Sequence, residues 1–143
     1  MNTNGITVER GTIYTLGYTQ PKAAVTLVRL MRNPRVLLVD VRYQPVSQWA
    51  QQWNRASLAG RYRERYVWER RFGNVHYRDL EQAIELAPGY QQAVREAVAL
   101  VCAGTSLVLL CACRDERACH RSLVAKLIQD ALPVPTAAWE IWA

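Results

Sequence analysis

Residues 107–127 read LVLLCACRDERACHRSLVAKL, and this stretch decides the predicted fold. The apolar run Ser106–Cys111 is typical of a strand that is buried on both faces. From Arg117 to Leu132 apolar residues recur at helical spacing, and Pro133 ends the pattern. A strand, a short loop rich in thiols and charges, and a helix therefore follow one another. We expect the N-terminus of that helix to point its free N–H groups at the loop.

The rest of the chain alternates strand and helix patterns in the same way. Further strands are predicted at Thr12–Leu16, Val36–Val41 and, as a last edge strand, Ala137–Trp142. A helix is predicted from Thr19, a candidate N-cap, to about Asn33. A second helix is predicted from Arg55 to about Tyr66, with Asn54 as its candidate cap, and a third from Pro88 to Ala103. This order predicts a single α/β domain over residues 1–143. We expect a mostly parallel sheet of about five strands with helices on both faces, a Rossmann-like three-layer sandwich.

Length and composition narrow the class of protein. The chain has 143 residues, the size of one domain, and no apolar run approaches the roughly 20 residues of a membrane helix. The polar start MNTNGITVERG does not resemble a secretory signal. We therefore expect a cytoplasmic protein without membrane contact, in which the four cysteines are reduced thiols, ligands or nucleophiles. No cofactor is predicted, and the oligomeric state is open.

The net charge of +6 is concentrated in one segment. Between Arg42 and Arg71 there are seven arginines and two acids, interleaved with tryptophan and tyrosine. This pattern favours an anionic partner, either a small molecule or nucleic acid. The alternative is an amphipathic helix whose arginines face water. The candidate nucleic-acid-binding residues are Arg55, Arg61, Arg63, Arg65, Arg70 and Arg71.

The candidate site lies where the predicted strands end. Asp40 and Arg42 follow the second strand and Cys111 ends the central one, and ligands of parallel sheets bind at these carboxyl ends. A helix N-terminus with nearby arginines would stabilise an anion, and the same field would favour a thiolate. The pattern therefore predicts either an anion site or a nucleophilic cysteine.

Four interpretations of the cysteines stay open. Cys111 or Cys113 could be a nucleophile; Cys111 and Arg117 have the spacing of a cysteine phosphatase loop, but this loop lacks glycine. The cysteines and His120 could bind zinc, although Cys119 and His120 are adjacent, and we predict no metal. Cys113 and Cys119 could form a redox disulfide, or the thiols could be small core residues.

The run L-L-C-A-C-R-D-E-R-A-C-H-R-S resembles the signature of domain-of-unknown-function family 488, a group of small α/β proteins. The matching positions are Cys111, Arg114, Asp115, Cys119, His120 and Arg121. The segments Tyr14–Thr19, Leu38–Arg42 and Phe72–Asn74 with Tyr77 are similar to other family segments, so the resemblance covers about residues 13–128. Glu116 stands where the family usually has proline, and Tyr18 where it usually has histidine. The resemblance implies the fold and the location of the site.

These observations together predict an enzyme that acts on a phosphate-bearing substrate, a nucleotide or nucleic acid, through a loop cysteine. The catalytic candidates are Cys111, Cys113, Cys119 and His120, with His76 as another proton carrier. The candidate anion-binding residues are Asp40, Arg42, Asn74, Tyr77, Arg114, Asp115 and Arg121. The alternative function is a non-catalytic nucleic-acid-binding module that uses the arginine-rich segment 42–71, with the cysteine loop as structural support.

Overall fold

The computed structural model describes residues 9–79, 81–112 and 119–133, and within them four strands form one parallel sheet. The strands are β1 (Ile13–Gly17), β2 (Val36–Asp40), β3 (Tyr66–Trp68) and β4 (Ser106–Cys111). The helices are α1 (Ala23–Met31), α2 (Arg55–Tyr62), α3 (Tyr90–Cys102) and α4 (His120–Ala131). The predicted α/β class and parallel sheet are confirmed. The predicted strand Ala137–Trp142 lies outside the described residues.

Strand β4 occupies the interior of the sheet, which has the order β1-β4-β2-β3. Its side chains alternate between two hydrophobic clusters: Leu107 and Leu109 pack with α3 and α4, whereas Val108 and Leu110 pack with α1 and α2. Both faces of β4 are thus buried, as the unbroken apolar run Ser106–Cys111 predicted. This arrangement brings the ends of β1, β2 and β4 to one edge of the sheet.

The arginine-rich segment folds differently from its prediction. Helix α2 ends at Tyr62 instead of continuing to Tyr66, because Arg63 adopts a positive φ of 53°. The guanidinium of Arg65 then donates hydrogen bonds to the carbonyl oxygens of Val36, Met31 and Asn33. These bonds attach the segment to the start of β2, and Tyr66 begins a parallel strand beside it.

The first helix also begins later than predicted. Thr19 does not cap α1; its hydroxyl donates to the carbonyl oxygen of Ala112 at 2.6 Å, and Lys22, with φ of 64°, precedes the helix. Thr19 therefore ties the loop after β1 to the end of β4. None of the helices in the described part of the chain combines the length and apolar character that crossing a membrane requires.

Candidate functional site

A pocket of about 380 Å³ opens at the edge where β1, β2 and β4 end. Its walls come from the loops after these strands, the first residue of α4 and the loop that precedes α3. The aromatic, charged and amide side chains that line it include Tyr18, Arg42, Tyr43, Asn74, Tyr77, Arg78 and His120. A concave site at the carboxyl ends of parallel strands is where ligands of this class of fold bind.

Arg42 and Asp40 form a buried ion pair behind one wall of the pocket. The guanidinium donates from Nε to Oδ1 at 2.8 Å and from Nη2 to Oδ2 at 2.6 Å, with Asp40 fully buried. Nη2 also donates to the carbonyl oxygen of Trp53 at 2.6 Å. Burial opposes the charge of Arg42, but the hydrogen bonds and charge of Asp40 raise its pKa overall. The guanidinium is therefore held charged in one orientation.

Tyr66 completes this network from β3. Its hydroxyl donates to Asp40 Oδ2 at 2.6 Å, and burial followed by the charge of Asp40 raises the pKa of Tyr66 far above its usual value. On the pocket side the Arg42 guanidinium lies 5.4 Å from the centre of the Tyr18 ring, which stacks on Trp53. Strand β3, whose first residue Tyr66 was predicted to end a helix, thus supplies one of the groups that fix Arg42.

His120 reaches the pocket from the first turn of α4. Its Nε2 lies 2.7 Å from the carbonyl oxygen of Val41, and its Nδ1 lies 3.8 Å from the Sγ atom of Cys119. A carbonyl oxygen can only accept a hydrogen bond, so Nε2 carries a proton. In the neutral ring Nδ1 is then the acceptor, and it faces a thiol.

Cys111 lies deeper, at the end of β4, beside a second buried arginine. Arg121 is fully buried, and its Nη1 lies 3.0 Å from Cys111 Sγ. Desolvation opposes the charge of Arg121, but interactions with the thiols of Cys111 and Cys119 raise its pKa overall. Cys111 and Cys119 are 1% and 3% exposed, so both belong to the core as well as to the site.

The opposite wall is carried by the loop after β3. A methyl group on Gly73 would lie 2.6 Å from the Cα atom of Tyr43, so only glycine allows these two backbones to touch. The side-chain oxygen of Asn74 accepts from the backbone N–H groups of His76 and Glu85, which shapes the loop. The loop thereby places Tyr77 with its ring centre 5.8 Å from that of Tyr43.

The structure brings together part of the predicted site. Arg42, Asn74, Tyr77 and His120 line one pocket, and Asp40 supports Arg42 from behind. Cys111, Cys119 and Arg121 lie beneath it in the core. Cys113, Arg114 and Asp115 lie outside the described residues. His76 pairs with Glu85 at 2.8 Å and is absent from the pocket lining.

The arginines of the alternative nucleic-acid site divide into two groups. Arg65 is bound to backbone carbonyls, and Arg71 pairs with Glu69 and Glu96, both at 2.7 Å. The remaining four are exposed and form no ion pair within residues 9–79, 81–112 and 119–133; they are Arg55, Arg61, Arg63 and Arg70.

Eight of the twelve residues that line the pocket were not among the predicted site residues; those with aromatic rings or charge are Tyr18, Tyr43 and Arg78. Tyr18 follows the last residue of β1 and Tyr43 lies three residues after the last residue of β2, so the strand-end rule used for Arg42 could have found both. Arg78 adjoins Tyr77 in a loop, and no periodic pattern marks it.

No group of three or more potential metal ligands occurs in the part of the chain that the structure describes. No curated protein and no solved structure matches the chain. A family model described as the active DUF488-N3 subclade matches residues 15–132, which is most of the chain and includes the whole run from Cys111 to Arg121. The chain therefore belongs to the DUF488 family.

Proposed function

We propose that the protein is a thiol-dependent enzyme that acts on a phosphate-bearing substrate, with Cys119 as the nucleophile and His120 as its base. The observation that carries this proposal is the pair of contacts that His120 makes, with the carbonyl oxygen of Val41 and with the thiol of Cys119. Because Val41 requires a proton on Nε2, Nδ1 is the basic nitrogen, and it lies 3.8 Å from Cys119 Sγ. A thiol, a base and a group that orients the base are the parts of an activated nucleophile.

Arg42 supplies the anion-binding group. Three of its five N–H donors are engaged by Asp40 and Trp53, and Nη1 makes no hydrogen bond to the described residues. Since the rest of the guanidinium is fixed, these two donors face a ligand without a further loss of side-chain entropy. Arg78, on the same pocket, adds a charge that no carboxylate in the described residues neutralises.

In the proposed step the proton of the Cys119 thiol passes to His120 Nδ1. The sulfur attacks phosphorus, an S–P bond forms, and the bond to the leaving oxygen breaks; that oxygen takes a proton from water. The hydroxide left by that water then attacks phosphorus and breaks the S–P bond, and His120 returns the proton to sulfur. Arg42 stabilises the charge on the phosphoryl oxygens during both steps.

The test is alkylation of each cysteine as a function of pH, read by mass spectrometry. We expect Cys119 to react with an apparent pKa below the ordinary value of about 8.5. His120→Gln should raise that value, and inorganic phosphate should slow the reaction; Cys102, on α3 away from the pocket, is the internal control. If Cys113 alone reacts, or if Cys119→Ser retains phosphatase activity, Cys119 is not the nucleophile.

A second candidate is the non-catalytic nucleic-acid-binding module. It is favoured by four exposed arginines without ion pairs among the described residues, Arg55, Arg61, Arg63 and Arg70. If it is correct, Cys119→Ser leaves nucleic-acid binding unchanged, and charge removal at Arg61 and Arg63 weakens it.

We also propose that the fold is a Rossmann-like three-layer sandwich with a fifth strand, and, as a separate point, that the protein is cytoplasmic. The three-layer sandwich is supported by the segregation of α1 and α2 from α3 and α4 into two hydrophobic clusters. Crossovers between parallel strands are right-handed, so a strand after α4 would join the sheet at β1, which α4 contacts. Amide hydrogen exchange of residues 137–142 tests it, since a paired strand is protected and a tail is not.

A further inference from the structure

Two tyrosines lie side by side at the mouth of the pocket, and an arginine lies over each of their rings. The guanidinium of Arg70 lies 4.1 Å from the centre of the Tyr43 ring, that centre lies 5.8 Å from the Tyr77 ring, and Arg78 lies 5.4 Å from the Tyr77 centre. We call these four residues the aromatic row. Its rings are half-buried and belong to the pocket wall, whereas both arginines are exposed.

The aromatic row carries two positive charges. Neither Arg70 nor Arg78 forms an ion pair with any described residue, whereas Arg42, inside the pocket, is balanced by Asp40. The positive charges that no described carboxylate balances therefore lie one over each tyrosine ring, Arg70 over Tyr43 and Arg78 over Tyr77. A ligand that matches this pattern has two anionic groups separated by a flat ring system.

We propose that the substrate is a nucleotide within a single strand of nucleic acid. The base stacks on Tyr43 and Tyr77 at the pocket mouth, and the phosphates before and after it contact Arg70 and Arg78. A free nucleotide carries phosphate on one side of its sugar only, so it satisfies one of the two arginines. A base in a duplex is stacked on its neighbours, and reaching the tyrosines would require its extrusion.

This inference rests on the proposed function, because it uses the same pocket, and it names the substrate class. It also differs from the binding module considered above. The surface of the binding module extends over α2 through Arg61 and Arg63. The aromatic row uses Arg78 and the two tyrosines, and it does not require Arg61 or Arg63. The two surfaces share Arg70 alone, so paired variants separate them.

The experiment is fluorescence anisotropy with labelled DNA and RNA strands of about 12 nucleotides, a hairpin duplex and a mononucleotide competitor, over a series of salt concentrations. The double variant Arg70→Ala/Arg78→Ala should weaken strand binding at least tenfold. It should also reduce the salt slope by about 1.4, since each phosphate contact contributes about 0.7 for single strands. The matched control is Arg61→Ala/Arg63→Ala, which removes two exposed arginines elsewhere and should leave the slope unchanged.

Tyr43→Leu and Tyr77→Leu test the stacking part separately. Each should weaken strand binding by roughly fivefold or more while leaving the salt slope unchanged, because stacking involves no phosphate. A circular dichroism spectrum and a urea midpoint equal to those of the wild type show that each variant is folded. Equal binding of DNA and RNA strands supports the proposed role of the aromatic row. A preference for one of them identifies the nucleic acid that contains the natural substrate.

Three results would overturn the inference: a mononucleotide that competes as well as the strand, a hairpin duplex that binds as tightly, or an unchanged salt slope in the Arg70/Arg78 variant. The thiol measurement is independent. If strand binding fails while Cys119 still reacts below its ordinary pKa, the enzyme proposal stands and the strand proposal falls. If the thiol is inert while the strand binds through the aromatic row, the reverse holds.

Discussion

Two buried arginines lie below the carboxyl edge of the sheet, and they differ in what balances their charge. Arg42 is paired in a fork with the carboxylate of Asp40, at 2.6 and 2.8 Å. Arg121 lies 3.0 Å from the sulfur of Cys111, with the thiol of Cys119 also acting on it. The first guanidinium is therefore balanced by a carboxylate, whereas the second lies beside thiols, which ionise near neutrality only when their surroundings favour the thiolate.

This difference separates a region whose geometry is fixed, around Asp40, from a region whose thiol can ionise as the pH changes, around Cys111. The Asp40 region holds Arg42 against the pocket in one geometry, through the two hydrogen bonds from the guanidinium and the one from Tyr66. The Cys111 region can gain or lose a negative charge as pH changes, and it adjoins the thiol and imidazole that we propose as catalytic groups. Reactivity is therefore expected on the β4–α4 side and anion positioning on the β2–β3 side.

The largest effect is expected when the fixed region loses its carboxylate. Asp40→Asn leaves the buried guanidinium of Arg42 without a balancing charge and should reduce the free energy of unfolding by about 3–5 kcal/mol. Urea denaturation measures the change. Asp130→Asn is the matched control, because the same substitution there affects an exposed pair with Lys126. Equal losses in the two variants would contradict the difference between the regions.

The next largest effect is expected in the region around Cys111. Arg121→Met removes the positive charge beside Cys111 and should raise the pH at which that thiol ionises by about 1–3 units. The ultraviolet absorbance of thiolates, compared with a Cys111→Ala background, measures this titration. Arg95→Met, which removes an exposed arginine from α3, is the control. A Cys111 titration that is the same with and without Arg121 would show that the guanidinium does not control the thiol.

Tyr66→Phe sharpens the comparison by removing one hydrogen bond from Asp40. The loss of a bond to a charged group should cost about 1.5–3 kcal/mol at neutral pH. Burial, with the charge of Asp40, raises the pKa of Tyr66 in the folded protein, so the unfolded chain loses this proton first as pH rises above about 10. The contribution of the Tyr66 hydroxyl to the free energy of unfolding is therefore complete below that pH, and above it this contribution falls by about 1.4 kcal/mol per pH unit.

Urea denaturation of the wild type and Tyr66→Phe across the alkaline range measures this dependence. The difference in stability between the two proteins should be constant from pH 7 to about 9 and should shrink above about 10. A difference that stays constant throughout the alkaline range would mean that the hydroxyl is not held protonated by the fold.

The smallest effect is expected at a third arginine, which is partly exposed. Arg71 bridges Glu69 and Glu96, and Glu96→Gln removes one partner from the water-facing side while Glu69 remains. Solvent screens such pairs, so the urea midpoint should change less than in Tyr66→Phe. A larger change than in Tyr66→Phe would show that solvent exposure does not determine how much these ion pairs stabilise the fold.

The sequence predicted the elements that are buried on both faces. Apolar runs identified β2 and β4, and the helix predicted from Pro88 to Ala103 contains α3, because burial and chain termination are local signals. The first residue of β3, Tyr66, was assigned to the preceding helix, since Leu58, Tyr62 and Tyr66 have helical spacing. The positive φ of Arg63 and the carbonyl contacts of Arg65 break that helix, and both depend on the rest of the fold.

The placement of some candidate site residues at one edge could be predicted for the same reason. The location of Arg42 and His120 at one edge followed from strand ends and from the helix start. The tautomer of His120 depends on the carbonyl of Val41, 79 residues away in the chain, and no side-chain pattern encodes a backbone acceptor. Likewise the contact of Gly73 with Tyr43 arises only when two loops meet.

The central position of β4 has a consequence for how the protein is made. In the described sheet β1 pairs only with β4, so Ile13–Gly17 must wait for Ser106–Cys111 to be synthesised. Strands β2 and β3 can pair earlier, because they are neighbours in the sheet and joined by a short crossover. A nascent chain therefore carries an unpaired apolar strand for most of translation, when it is most exposed to aggregation and most dependent on chaperones.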